Sequence, residues 1–550
     1  MAQPGPMPVT AARTSIVDLV ALTVLALLAR TTAALLVPGP PHVDAAYYTL
    51  VAERLADGHG FSVPVLWSFL EVGGGLPADP SLPVPSNGHW RPLASILAAG
   101  PMALLDGGWR AGQLIMVLLS TLLVPATYLI GWQLWRSRRV ALLGALLAVL
   151  AGPLLVMYPL VETFAVFGVA GATALYASVR AVDALHPGRW LVLAGAAAGL
   201  ASLARIDGVL LTVAPATAWL VSRPFGIGPF GSPARALAWG SASAVAFLVV
   251  LGPWLVRDLL VFGTPFPSAG GHTLWIREYN EQFSIASDPT PATYLAWGPL
   301  SILASKLSAA VQVVGSTLAV MGGIFGILFL AGLWLHRRDR RLAPFIIYVV
   351  VLFAAMALIF TVHAPRGAFV HSAPAWLPFA FPMAIASLPA VAGAAGRAWR
   401  LLRRPASHRL IEMAGLVGAL VLSLAGGAGL LLGWSMTQDR YEAAARFLSS
   451  EADAAAVVMS ADPARLNLLT ANPGVPAPFD PYPVIEKVVE AYDVDWLVVV
   501  LPPGESRDPL GLWEGANATD IEGNHPDWLP AEAAFEADGV RVFDVAGPGG

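Results

Sequence analysis

The sequence predicts a polytopic α-helical membrane protein that carries a small C-terminal extracytoplasmic α/β domain. Three observations lead there. Of 550 residues only 12% are charged and 56% are hydrophobic, where a soluble chain carries roughly a quarter charged residues. The mean hydropathy is +0.66, and the apolar residues collect in eleven runs, most of them close to the length that crosses a hydrocarbon core of about 30 Å. Finally, the charge changes sign along the chain. Residues 1–434 hold 26 basic and 16 acidic side chains, whereas residues 435–550 hold 6 and 20. A soluble globular protein and a disordered chain are both excluded, and the absence of cysteine excludes disulfides and thiolate chemistry.

The runs cover residues 16–37, 111–135, 140–157, 163–181, 190–204, 208–222, 236–256, 311–335, 342–362, 374–395 and 410–434, giving about eleven transmembrane helices. The first exceeds a typical signal core and reads as an uncleaved helix. The fifth and sixth are short enough to form a re-entrant pair. Cationic loops resist translocation, so Arg13, Arg136, Arg138, Arg139, Arg180, Arg189, Arg223, Arg235, Arg337, Arg338, Arg340, Arg341, Arg397, Arg400, Arg403, Arg404 and Arg409 mark the cytoplasmic side. That places the N-terminus in the cytoplasm. The long loops 38–110 and 257–310 and the acidic tail then fall outside, so the expected division is a transmembrane region 1–434 and a soluble extracytoplasmic region 435–550.

In the tail, DRYEAAARFLSS (439–450) has helical periodicity and AVVMS (456–460) reads as a short buried strand. A second helix at 483–492 leads to the strand DWLVVVL (495–501), and VRVFDV (540–545) reads as a last strand. The Pro- and Gly-rich stretch 469–483 reads as a loop. There is no internal repeat and no Gly-rich phosphate loop.

With this orientation twelve of the sixteen carboxylates in residues 1–434 fall at the outer face. A carboxylate beside hydrocarbon is costly and is kept for a reason, so the chemistry is expected outside. PHVDAAYYTLVAERLADGHGF (41–61) places Asp44, Tyr47 and Tyr48 directly after the first span. Further segments of interest are SNGHWRPLASIL (86–97), YPLVETF (158–164), SLARIDGVLL (202–211) and GPWLVRDLLVFGTPFP (252–267). In this order they resemble the motifs of the GT-C superfamily of integral-membrane glycosyltransferases, of the protein O-mannosyltransferase and aminoarabinose transferase type. Many relatives have Asp-Glu where this chain has Asp44-Ala45, and Ile206 stands where the family pattern has proline.

The resemblance implies a glycosyltransferase that moves a hexosyl or pentosyl group from a polyprenyl-phosphate donor to an acceptor hydroxyl at the outer face, with inversion. Such transfer needs a base for the acceptor hydroxyl and cations for the departing phosphate. Asp44 is the expected base. Arg205, Arg257, Arg277 and Arg366 are the expected phosphate ligands, since the guanidinium fork matches phosphate oxygens. Tyr48, His89, Arg91, Glu162, Asp207 and His363 complete the candidate set.

Structural readings stand beside these. Asp44 suits a helix N-cap, Arg205 and Asp207 suit an ion pair across a tight turn, and Arg257 with Asp258 suits an interfacial anchor. Glu162 suits a turn equally well. His363 and His371 lack helical metal-ligand spacing, so no metal site is assigned and no cofactor is required by the sequence. The expected partners are the lipid-linked donor, an acceptor glycan, lipid or protein, and the bilayer, with no nucleic acid. The competing classes are a transporter or flippase and a catalytically inactive membrane scaffold.

Overall fold

Every apolar run folds as helix, the backbone form that satisfies its own hydrogen bonds in hydrocarbon. The computed structural model describes residues 9–222, 230–267, 269–396, 405–501 and 526–545. Arg223, Arg397, Arg400, Arg403 and Arg404, used above for orientation, lie outside the described residues. The helices begin with α1 (Val9–Leu36), α2 (Val43–Ala56), α3 (Leu93–Leu105), α4 (Gly108–Trp135), α5 (Arg138–Leu150) and α6 (Leu154–Met157). They continue with α7 (Thr163–Asp183), α8 (Pro187–Ala204), α9 (Val213–Val221), α10 (Pro233–Phe262), α11 (Pro291–Ala296) and α12 (Pro299–Val320). The last are α13 (Ile324–Leu335), α14 (Ala343–Leu358), α15 (Ala368–Ala395), α16 (Pro405–Glu451), α17 (Pro463–Thr470) and α18 (Tyr482–Tyr492).

Among the described residues seven helices, α1, α4, α7, α10, α12, α15 and α16, are long and apolar enough to cross a membrane, and shorter apolar helices accompany them. The protein is a multi-pass membrane protein. Three of the eleven runs are interrupted. The third breaks where Ala151 and Gly152 take positive φ before Pro153. The eighth breaks at Gly322 and Gly323, where the Gly323 N–H returns to the Leu318 carbonyl, a helix-terminating turn that favours glycine. The sixth begins as a tight 3-10 turn over Ile206–Thr212. Here Gly208 lies so close to the Ala201 backbone that a Cβ would sit 2.4 Å from it.

The chain divides into two compact units. The first comprises Met1–Leu36, Leu114–Gly252 and Ser308–Gly429. Within it α15 is buried along most of its length, and its neighbours approach through small residues, the usual solution where apolar burial gives helices no reason to associate. A Cβ on Gly171 of α7 would lie 2.4 Å from the Ala375 Cβ, and one on Gly144 of α5 would meet Pro382. Phe329 and Trp376 stack with centroids 5.3 Å apart. Arg138 holds Asp18 through two hydrogen bonds of 2.7 and 2.8 Å.

The second unit comprises Val37–Gln113, Pro253–Leu307 and Leu430–Gly550. Its strands are β1 (Ser62–Val63), β2 (Val84–Pro85), β3 (Val457–Ser460), β4 (Gly474–Pro476), β5 (Val494–Val500), β6 (Phe535–Ala537) and β7 (Val540–Asp544). β1 and β2 form an antiparallel pair, and the other five form one sheet in the order β4-β3-β5-β7-β6, parallel across β4-β3-β5 and antiparallel beyond. Loop and tail share a core. Tyr47, Val51, Trp67 and Phe69 pack with Val475, Ile485, Val488 and Leu497.

Hydrogen bonds agree with that core. Leu66 N–H donates to the Gly474 carbonyl (3.0 Å) and Gly474 N–H to the Pro64 carbonyl (3.1 Å), covering the edge of β4. Asp480 accepts from the Ser284 hydroxyl and from the Ile285 N–H (2.7 Å). Two features of the tail differ from the sequence reading. The helix expected at 439–450 is the end of α16, which runs unbroken through residue 435, and the expected loop 469–483 contains the end of α17 and β4.

Candidate active site

In the second unit, α2 begins after the six residues that follow α1, and its cap is His42, whose Nδ1 accepts from the Ala45 N–H at 3.4 Å. Asp44 therefore stands in the first helical turn, half-buried, and is not the cap. A carboxylate there is favoured by the helix dipole. Tyr48 is buried one turn on. Its ring packs against Trp90 at 5.9 Å and its carbonyl accepts from Ser95.

The next turn of this unit is organised by a residue that spacing did not single out. Glu71 is buried and accepts from the Tyr47 hydroxyl at 2.6 Å and the Trp67 N–H at 3.3 Å. The same Tyr47 oxygen accepts from the Asn87 N–H at 2.8 Å. Burial raises the Glu71 carboxyl to about 7, against the opposing effect of these hydrogen bonds. The pair thereby fixes the segment 86–91. Ser86 receives Arg257 on its carbonyl at 2.7 Å, His89 stacks on Trp67 at 5.0 Å, and Arg91 reaches Asp258 at 3.2 Å.

Arg257 also bonds Asp258 at 3.1 Å and lies 4.7 Å from the Trp254 ring centroid. Asp258, fully buried, thus sits between two guanidinium groups. In the same unit Trp67 Nε1, Asn87 Nδ2, Trp90 Nε1, Arg91 Nε and Trp254 Nε1 are buried donors without a hydrogen-bond partner among the described residues. Such unfilled donors suit an oxygen-rich ligand or water. Arg277 is differently engaged. It makes hydrogen bonds of 2.9 and 2.6 Å to Glu281, whose other oxygen takes the Arg277 N–H.

In the first unit Glu162 occupies the residue before α7 and is buried, with its Oε1 3.0 Å from the His371 Nδ1. The imidazole stacks on Phe164 at 4.2 Å. Arg205 donates to Asp207 at 2.8 Å, and the Ser372 hydroxyl donates to the other Asp207 oxygen. The turn 202–208 is thereby tied to α15. Arg366 is exposed on the turn that precedes α15. His363 is on the same turn, and burial lowers its imidazole to about 4, so it is neutral near pH 7. Glu162 and His371 are metal-ligand types held at hydrogen-bonding distance to each other.

The structure of ArnT from Cupriavidus metallidurans bound to undecaprenyl phosphate is similar to this chain, with 14% identity and a TM-score of 0.57 over 96% of this chain and 99% of that one. Its apo form matches at 13% identity and a TM-score of 0.54, over 98% and 100%. The oligosaccharyltransferase AglB from Archaeoglobus fulgidus, in complex with an inhibitory peptide and a dolichol-phosphate, gives a TM-score of 0.49 at 13% identity, over 87% and 69%. The fold is that of the GT-C glycosyltransferases. No protein-family model and no curated sequence matches the chain.

Within this GT-C fold the candidate residues fall into two groups, one in each unit. Asp44, Tyr48, His89, Arg91, Arg257 and Arg277 belong to the second unit, and Glu162, Asp207, Arg205, His363 and Arg366 to the first. Glu71 and Asn87 are partners that sequence reading did not assign, and Asp258, read there as an anchor with Arg257, also takes Arg91. An acidic residue inside an aromatic loop (WSFLEV, 67–72) was the available signal for Glu71.

Proposed function

We propose that the protein is a membrane glycosyltransferase that moves a sugar from a polyprenyl-phosphate donor to an acceptor hydroxyl at the extracytoplasmic face. The observation that carries this reading is the correspondence of nearly the whole chain with ArnT, whose structure holds undecaprenyl phosphate. The position of Asp44 supports it, because this half-buried residue of the first turn of α2 is a carboxylate, the group type that takes a hydroxyl proton.

The reaction is a single displacement. The acceptor hydroxyl oxygen attacks the anomeric carbon from the face opposite the phosphate, its proton passes to Asp44, and the bond to the phosphate oxygen breaks. Polyprenyl phosphate leaves and the anomeric configuration inverts. The departing phosphate charge is balanced in this reading by guanidinium forks, for which Arg257 is the candidate of the second unit and Arg205 and Arg366 are those of the first. Arg205, Arg257 and Arg277, already engaged by Asp207, Asp258 and Glu281, contribute by exchanging those partners. The N-terminus is cytoplasmic and residues 435–550 are an extracytoplasmic domain.

The test is incubation of the reconstituted protein with radiolabelled polyprenyl-phosphate hexoses and pentoses and a membrane-lipid and glycan extract as acceptor. Label should move from the lipid phosphate to a new product. Failure of every lipid-monophosphate sugar to donate, with a protein shown to be folded, overturns the reading.

A further inference from the structure

A cavity of about 560 Å³ opens at the turn between α7 and α8. Arg180, Asp183, His186, Arg189, Trp190 and Leu193 line it. The glycosyl-transfer reading uses none of them. α7 has 21 residues, and at 1.5 Å per residue its ends lie about 30 Å apart. That is one hydrocarbon thickness, so the cavity lies at the membrane surface opposite Glu162 and Arg205.

Its lining holds one unfilled side-chain donor and two arginines. Arg180 Nε is buried without a hydrogen-bond partner, and the guanidinium lies 5.5 Å from the Trp190 ring centroid. Neither Arg180 nor Arg189 pairs with a carboxylate among the described residues. The N-terminus of the 18-residue α8 points into the same turn, with His186 as a cap that makes no side-chain hydrogen bond and Pro187 at the first position. Uncapped first-turn N–H groups attract anions. Asp183 is the single acid of the lining, and Arg341 lies near enough to interact with its charge. Leu185, also in the lining, is 86% exposed, and beside Leu193 it gives the cationic cavity an apolar side. Cations, a tryptophan and exposed leucines at a membrane surface match an amphiphile with a phosphate head.

We propose that this cavity binds a phosphate group, carried by an anionic phospholipid or free in solution, at a site separate from glycosyl transfer. Arg180 and Arg189 hold the oxygens, the α8 N-terminus adds backbone donors, and Leu185 and Leu193 take acyl-chain contacts when the phosphate belongs to a lipid.

The full-length protein, delipidated in detergent, is titrated with phosphatidylglycerol, with a phosphate-free glycosyl diacylglycerol and with inorganic phosphate. Native mass spectrometry counts the bound lipid and isothermal calorimetry follows the free ion. Phosphatidylglycerol should bind the parent and the Arg338→Gln control alike, and about tenfold or more weakly to the Arg180→Gln/Arg189→Gln protein. Displacement of the lipid by inorganic phosphate assigns the site to the ion, and retention assigns it to the headgroup. Arg189 is exposed, so Arg189→Gln alone gives the same direction if the double variant does not fold. Equal binding of both phosphate probes by parent and variants, or equal binding of the phosphate-free lipid, overturns the proposal.

Discussion

Arg257 and Arg366 are the same residue type in different settings, and that difference makes their roles separable. Arg257 anchors the Ser86 carbonyl and Asp258, whereas Arg366 stands exposed on a turn. Arg366→Ala is expected to weaken donor binding and turnover by about 2 kcal/mol. Arg257→Ala should lower both activity and the midpoint, as read by donor titration and thermal unfolding in detergent. Glu71 gives a pH signature. Burial raises it from 4.5 to about 7, so the folded state holds the proton more tightly than the unfolded one. The Glu71 contribution to stability is then fully present below about 4.5 and is lost as pH rises through about 7. Glu53, also raised to about 7 by burial and by Asp57, acts in the same direction. Glu71→Gln should flatten the dependence of the unfolding midpoint on pH, leaving the share of Glu53, and an unchanged slope contradicts the assignment. Asp44 and the arginines were singled out because each sits in a short local pattern. The Glu71, Tyr47 and Asn87 network was not, because its members are 24 and 40 residues apart and only burial makes them partners.

Helix existence was readable from run length, since a long apolar stretch has few other ways to satisfy its backbone. Interruptions were harder to read. Gly322-Gly323 is visible as a dipeptide, but Ala151 in a left-handed conformation follows from packing and not from residue type. β4 was hidden in a Pro- and Gly-rich stretch because its three residues pair with β3 on one side and with residues 64–66 on the other. Close helix approach yields a test with an internal control. Gly171→Ala places a methyl against Ala375 and should cost about 1–3 kcal/mol. Gly252→Ala, with nothing within 4 Å of the added atom, should be neutral or stabilise α10 by up to about 1 kcal/mol. Thermal unfolding of the two variants side by side decides whether helix contact explains the small residue at Gly171, and equal midpoints speak against it.

The charge reversal near residue 435 divides the chain by composition, while packing groups the acidic residues 430–550 with two loops far away in sequence. No local pattern announces that grouping, because the shared core joins Tyr47 and Trp67 to Ile485 and Val488 across more than 400 residues. Removal of residues 453–550 should therefore unfold the loop 38–110 as well. Limited proteolysis is expected to cut the truncated protein between residues 61 and 91, and a loop as protected as in the full chain contradicts this. A reporter fused after residue 436 should report from outside the cytoplasm, as the one-sided arginines require. The glycosyl-transfer account itself is tested most directly by following the anomeric configuration of sugar moved from a polyprenyl-phosphate donor by the parent and by Asp44→Asn. The account predicts an inverted product, with turnover of the variant lower by a factor on the order of 10² to 10⁴ and donor binding kept. A product that retains the donor's configuration, or an Asp44→Asn protein working at the parent rate, contradicts it.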